Sequence, residues 1–476
     1  MMIPKSAQSR WRARLPAAFA VAVAGLVFSA TALSAASAAQ WRPLFNGKDL
    51  SGWAVINGSA PYAVLDGAIV GTTVAGSPNS FLAHEEQFGD FVLEFEVKQE
   101  VAPTNSGVQF RSLARPDVME GRVHGYQCEI DPSDRGWTGG IYDEARRGWL
   151  YPLSLNPAAR TLYQYGRWNH IRIEAIGSSI RTWVNGVATA HVIDDLTPSG
   201  LIALQVHSVS KPEEAGRRIF WRNIRILAGS DLEPAPADAI FVRNMRANDV
   251  SEAERAQGWR LLWDGRTTTG WRGAHKPTFP SDGWRIENGE LIVAESGGGE
   301  AKHGGDIVTE RPFSAFELQL EARLTPGANS GIKYIVTEET DPGGGSAYGL
   351  EYQLLDDERH PDAKLGAAGN RTLASLYDLI PSRKITSGVG LVPKIGSWIH
   401  ARVVVRADGT VEHWLNGIKV VDYDRYSPAL AAMIARSKYD KLSGFGLAPE
   451  GRILLQDHGN EVHFRSIKIR ELTGKP

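Results

Sequence analysis

The chain has 476 residues, with 52 Lys and Arg against 54 Asp and Glu, and a single cysteine. This near-neutral balance offers no basic footprint for nucleic acid or for an anionic membrane surface. Cys128 alone excludes an intrachain disulfide even in an oxidising compartment, so stability has to come from buried apolar area, and the length suits two domains.

Lys5, Arg10, Arg12 and Arg14 precede an apolar run from Pro16 to Leu33, which leads into the small-residue string Ser34 to Ala39. That is the layout of a cleavable secretory signal over residues 1–39. The run falls short of the roughly 20 apolar residues a spanning helix needs. Cleavage beside Gln40 would place the mature chain in the periplasm or outside the cell with no integral membrane domain, an uncleaved anchor being the competing reading. No Cys follows to take a lipid, and no adjacent Arg pair marks a twin-arginine signal.

Past the leader the sequence repeats itself. WRPLFNGKDLSGW at Trp41 to Trp53 returns as WRLLWDGRTTTGW at Trp259 to Trp271, and FGDFVLEFEVK, NSGVQFR and GYQCEID return in order as FSAFELQLEAR, NSGIKYI and GLEYQLLD. The NG-containing segments, LQVH with LQDH, and WRNIRI with FRSIKI complete the collinear series. Self-similarity on this scale means tandem copies of one domain, here residues 40–227 and 258–473. The segment 228–257 between them is a linker, with Pro234 and Pro236 in an Ala-rich stretch and then SEAERAQG, which can cap and form a short helix.

Within each copy the period is two: Phe91, Leu93, Phe95 and Val97 alternate with Val92, Glu94, Glu96 and Lys98, as half-buried strands do. Asn185-Gly186, Asn416-Gly417 and Asp408-Gly409 fall where hairpin turns would demand positive φ. The clearest amphipathic helix outside the linker is Ser427 to Ser437, so a parallel α/β arrangement is disfavoured. The class is all-β, an antiparallel sandwich or jelly roll in each copy.

Alternation from Gly349 sends Leu350, Tyr352 and Leu354 to one face and Glu351 and Gln353 to the other. The first copy sends Tyr126, Cys128 and Ile130 one way and Gln127, Glu129 and Asp131 the other. The polar Glu and Gln are kept but swapped. Acids and amides on one face of a curved sheet can bind sugar hydroxyls, and a carboxylate there can move a proton; a solvated outer face would read the same. Asn329 and Lys333 join this face in the second copy, with Gln109 and Arg111 at the equivalent alternation in the first. His207 and His458 each follow Leu-Gln, as framework residues or sugar ligands. The stretch after Leu355 is dense in ionisable groups, with Asp356, Asp357, His360, Asp362 and Lys364, and loops on rigid scaffolds commonly carry function. Its carboxylates could suit a hard cation, but no D-x-D-x-D-G loop is present. Trp41, Trp53, Trp259 and Trp271 read as packing residues, whereas Trp137, Tyr142, Trp149 and Tyr151 read as sugar platforms. Neither G-x-S-x-G, a Rossmann glycine fingerprint nor H-E-x-x-H occurs at a fitting site.

The blocks GGDIVTERPFSAFELQLEARLTPGANSGIKY, YGLEYQLLDDERHPDA and LLQDHGNEVHFRSIKI resemble the 3-keto-disaccharide hydrolase family. The resemblance covers nearly all of the mature chain and implies two concanavalin A-like (LamG-like) jelly rolls that cleave glycosides whose sugar carries a ketone at carbon 3. The second copy has the fuller motif set; the first has IDPSDRGWTGGIYDEARRGW in place of LLDDERHPDA, which leaves catalysis there less certain. The chemistry then expected is proton abstraction at carbon 2, elimination and hydration, with Glu351 as base, Lys333 or Gln353 at the oxyanion, and Asp356, His360 or Asp362 as acid. Asn329, His458, Gln127, Glu129, Arg111 and His207 join Lys333 and Gln353 as substrate-binding residues. The partner expected is a carbohydrate, and no metal is assigned to the site. No cofactor is expected, with a structural calcium left open because concanavalin-like folds often hold one. An ordinary two-carboxylate glycosidase and a non-catalytic lectin-like tandem module are the alternatives.

Overall fold

The computed structural model describes residues 40–100, 104–338 and 346–472. The leader read from the sequence lies outside the described residues. Among them, no helix is long and apolar enough to cross a membrane.

Each copy is a pair of packed antiparallel sheets. In the first copy the back sheet runs through Val187–Ile193, Ser179–Val184, Asn169–Ile176, Phe91–Gln99, Arg218–Ala228, Ala68–Thr72 and Tyr62–Leu65. The front sheet runs Gly148–Tyr151, Ile141–Glu144, His124–Ile130, Ser106–Leu113, Gly200–Val206, Ser80–Phe88 and Trp53–Ile56. The second copy repeats this plan, with a back sheet centred on Val462–Glu471, Phe316–Leu324 and Ile399–Val405. Its front sheet is Trp271–Gly273, Ile307–Thr309, Arg452–Leu455, Asn329–Val336 and Leu350–Leu355.

The period of two explains the layering. Phe91, Leu93, Phe95 and Val97 face inward and meet Tyr126, Cys128 and Ile130 from the front sheet in one core cluster. Phe316, Leu318, Leu320 and Ala322 meet Leu350, Tyr352 and Leu354 in the other. Burial of this kind stabilises by about 25 cal/mol for each Å² of apolar surface removed from water. The hairpin turns form as the NG pairs require: Asn185 and Gly186 have φ of 51° and 83°, and Asn416 and Gly417 have 48° and 83°.

The segment between the copies is fastened down rather than free. Arg243–Asn244 adds a short parallel strand beside Val187–Ile193, and Arg181 donates to the Ala235 and Pro236 carbonyls at 2.7 and 2.6 Å. Helix Glu252–Ala256 starts with a capping box between Ser251 and Glu254, as SEAERAQG suggested. Helix Pro428–Ile434 is likewise capped by Ser427. The copies also touch directly: Leu391, Val404 and Trp414 of the second belong to the first copy's core cluster, and the Trp149 N–H donates to the Val389 carbonyl at 2.9 Å.

Trp53, Trp259 and Trp271 are buried, matching a packing role, while Trp41 is 38% exposed with Arg225 over its ring. Tyr151, read as a sugar platform, is instead a core residue whose hydroxyl donates to the Phe241 carbonyl.

Candidate active site

Register decides which residues of the two copies correspond. Gly107 pairs with Glu129 and Gln109 with Gln127, while Gly331 pairs with Gln353 and Lys333 with Glu351. A Cβ on Gly107 would sit 2.4 Å from the Gln127 side chain, and one on Gly331 would sit 2.3 Å from Glu351 Oε1. The glycines of both NSG motifs are therefore what lets these polar side chains lie flat on the front sheet.

In the second copy, Glu351 is 4% exposed and Lys333 is 3% exposed. The Lys333 ammonium donates to Glu300 Oε1 at 3.2 Å, Asp306 Oδ2 at 3.4 Å and the Ala347 carbonyl at 3.2 Å. Facing carboxylates hold its pKa above the ordinary lysine value in spite of burial. The Glu351 carboxyl makes no hydrogen bond to a described residue, and burial pushes it up to about 7 even though Lys333 and Lys438 pull it down. Burial also lifts Asp306 to about 6, whereas Lys333 and Lys438 overcome burial at Glu300 and hold it near about 2.

Around this floor stand further unsatisfied groups. Asn329 Oδ1, Gln456 Oε1 and His458 Nδ1 are buried without a partner among the described residues, so water or a ligand has to supply one. The His458 ring lies 6.0 Å from that of His360, edge to face. His360 Nδ1 accepts from the Asp362 N–H at 3.2 Å, so the neutral ring carries its proton on Nε2; burial lowers both imidazoles' pKa values. Asp362 accepts from Arg371 at 2.9 Å and from the Tyr377 hydroxyl at 2.8 Å, which orders the loop behind His360.

Two expected residues stand elsewhere. Asp356 accepts from the backbone of Gly327, Glu358 and Arg359 and from the Arg359 guanidinium, which keeps it ionised below the usual carboxylate range against burial. It is a turn anchor and is poorly suited to give up a proton. Arg111 does not follow the alternation, because its φ of 44° sits in a bulge of the front sheet. Its guanidinium turns to Asp90 and to the Gly89, Ala175 and Gly177 carbonyls at the sandwich edge.

In the first copy the same face opens into a cavity of about 670 Å³, lined among others by Asn105, Gln127, Glu129, Arg135, Tyr142, Trp149, Gln205 and His207. Glu129 accepts from Asn105 at 2.7 Å, Gln127 at 3.0 Å and Arg135 at 3.4 Å. Burial outweighs these donors and pushes its carboxyl up to about 7. His207 holds its own loop through Nδ1 and the Ser208 carbonyl at 2.7 Å. Trp137 packs edge-on to Trp149 and supports it. Both amide atoms of Gln205 are buried and have no partner among the described residues.

Sequence reasoning missed Gln205, Gln456, Glu300 and Asp306. The first two sit in the repeated LQ-x-H motif, two residues before its histidine. Among the described residues, no group of three or more His, Cys, Asp and Glu side chains is arranged to hold a metal ion.

Each jelly-roll sandwich carries a buried carboxyl beside buried amides on its front sheet, and the protein is a carbohydrate-active hydrolase. The chain belongs to the 3-keto-alpha-glucoside-1,2-lyase-like domain family, whose model matches residues 40–227 and again 258–470. It is 35% identical over 275 residues to a 3-keto-disaccharide hydrolase of Bacteroides thetaiotaomicron, covering 52% of this chain and 91% of that one. Among solved structures it is similar to a protein of Parabacteroides distasonis provisionally described as a glycosyl hydrolase, at 27% identity, TM-score 0.41, and coverage of 48% of this chain and 100% of that one. The carbohydrate-binding module CBM66 of Bacillus subtilis matches at 15% identity and TM-score 0.26, over 37% of this chain and 96% of that one.

Proposed function

We propose that the protein is exported and hydrolyses 3-keto-glycosides, with the reaction carried out in the second copy. A ketone at carbon 3 acidifies the hydrogen at carbon 2. Glu351 as carboxylate takes that proton, and the electron pair moves onto the carbon 3 oxygen as an enolate, which the Lys333 ammonium stabilises. When the enolate collapses, the carbon 1 to oxygen bond breaks, a carbon 1 to carbon 2 double bond forms, and His360 Nε2–H protonates the departing oxygen. Water then adds at carbon 1, carbon 2 regains a proton, and the sum is hydrolysis.

The observation that carries this reading is the state of the Glu351 carboxyl: buried, free of hydrogen bonds to described residues, opposite a lysine, and lifted to about 7. A base matched to neutral pH is what abstraction next to a carbonyl needs. The relative's printed activity supports the same substrate class. Incubation with a 3-keto-disaccharide in heavy water is the test. Deuterium at carbon 2 of the released sugar is expected; product free of it, or equal cleavage of unoxidised disaccharides, overturns the route in favour of ordinary two-carboxylate hydrolysis.

A further inference from the structure

Taking the register residue by residue, the ionisable floor of the second copy has been replaced in the first. Gln109 stands where Lys333 does, and Gln127 where Glu351 does. Phe81 is the partner of Gln205 across the adjacent strand. One step earlier on those strands, Leu82 pairs with Leu204 as Ile307 pairs with Leu455, which puts Phe81 in the place of Asp306. The lysine, the base opposite it and one of the lysine's buried carboxylate partners are thus two amides and a phenyl ring. The acid at the Gln353 position, Glu129, has three donors fixed on it, so it is an acceptor in a relay rather than an unattached base. That relay runs in one direction, from Ser112 to Gln109 at 2.7 Å, from Gln109 to Gln127 at 2.6 Å, and from Gln127 to Glu129 at 3.0 Å.

The cavity nevertheless is built to receive something. Gln205 is fully buried, lines it, and leaves both Oε1 and Nε2 without a partner among the described residues. An unpaired buried amide costs the fold unless water or a ligand satisfies it, and at the wall of a cavity a ligand can displace that water. Its two atoms need one donor and one acceptor side by side, which is what two neighbouring sugar hydroxyls present. A ketone in place of the hydroxyl that donates to Oε1 has no proton to give and leaves Oε1 unsatisfied. The second copy differs here too, because Gln456 Nε2 already donates to Glu300 at 3.1 Å. Tyr142 and Trp149 supply an aromatic wall, and Arg135 lies 5.0 Å over the Trp149 ring with its charge directed to Asp131 and Glu129. The paired charges favour a neutral ligand.

We infer that the first copy is a separate, non-catalytic binding site for a neutral saccharide with intact vicinal hydroxyls, held by Gln205 and Glu129, in a chain whose other copy does the chemistry. The division of labour rests on the proposed reaction in the second copy, but the binding site does not. The experiment uses the full mature chain and titrates cellobiose and trehalose calorimetrically into wild type, Gln205→Leu and Glu351→Gln, with the 3-keto forms assayed for turnover in parallel. Expected is binding of at least one unoxidised disaccharide at one site per chain, retained in Glu351→Gln and weakened roughly tenfold to a hundredfold in Gln205→Leu. Quenching of tryptophan fluorescence near Trp149 on binding, with an unchanged melting temperature, separates a lost contact from a lost fold. No binding by wild type at millimolar disaccharide overturns the inference. Turnover abolished in Gln205→Leu but retained in Glu351→Gln also overturns it, since the first copy would then be the reacting one. Binding as expected with no turnover of 3-keto substrates by wild type sinks the reaction and leaves the binding site standing.

Discussion

Lys333 and Glu351 are directly opposed on adjacent antiparallel strands, and the matching pair in the first copy is Gln109 and Gln127. The lysine lowers the carboxyl's pKa and burial raises it, with burial the larger. If Glu351 is the base, activity rises with pH as the carboxyl ionises near about 7. Glu351→Gln is expected to lose at least about a hundredfold in kcat with KM little changed, the signature of a group acting in the transition state. Lys333→Met removes the charge that favours the carboxylate, so the ascending limb of the kcat/KM profile moves to higher pH. A limb that stays in place in Lys333→Met would remove Glu351 from the role of base.

The same burial makes Glu351 a stability determinant. Its folded pKa lies above the unfolded value, so the proton it holds favours the folded state at low pH, and that contribution is lost as pH rises from about 4.5 through about 7. Glu351→Gln removes the ionisable group while keeping its shape. The variant is therefore expected to unfold at the same denaturant concentration as wild type near pH 4, and to be more stable above pH 8 by about 3 kcal/mol. Chemical denaturation at the two pH values measures the difference, and a variant less stable at pH 8 would contradict the assignment.

How far the sequence carried depended on whether one strand's periodicity was enough. Alternation along Gly349 to Leu355 placed Glu351 and Gln353 on the polar face, and Ser251 with Glu254 announced the capping box. The partners of Lys333 were not legible, because Glu300 and Asp306 reach it from 33 and 27 residues away, and only sheet order brings them there. Arg111 failed for a local reason, since the bulge that turns it requires a positive φ that nothing in VQFRSL signals. Asp356 failed because acidity was read from composition, while its backbone donors come from the turn it closes.

Glu254 and Lys468 join the intervening segment to the back sheet of the second copy at 2.6 Å, with the carboxylate fully buried. Removing one member of a buried pair strands the other charge, at about 3 to 5 kcal/mol. Lys468→Met is expected to lower stability by that order, and adding Glu254→Gln to recover part of it, because the amide still caps the helix without a charge to bury. Urea unfolding of the single and double variants gives the coupling; additive losses would show that the pair does not act as a unit.

The last contact ties the two copies at the lip of the first cavity. Gly148 precedes Trp149, and a Cβ on it would meet the Val389 carbonyl of the second copy at 2.2 Å; one on Gly390 would meet the Arg147 carbonyl at 2.3 Å. Both glycines also have positive φ, 76° and 79°, so alanine at either is strained as well as crowded. Since the Trp149 N–H is satisfied by Val389, forcing the segments apart withdraws the support of the indole that lines the cavity. Gly390→Ala changes no residue of the first copy, yet it is expected to cost about 1 to 3 kcal/mol in stability and to weaken disaccharide binding there severalfold. Calorimetric titration of this variant against wild type decides the point: unaltered affinity would mean that the first copy shapes its cavity without help from the second.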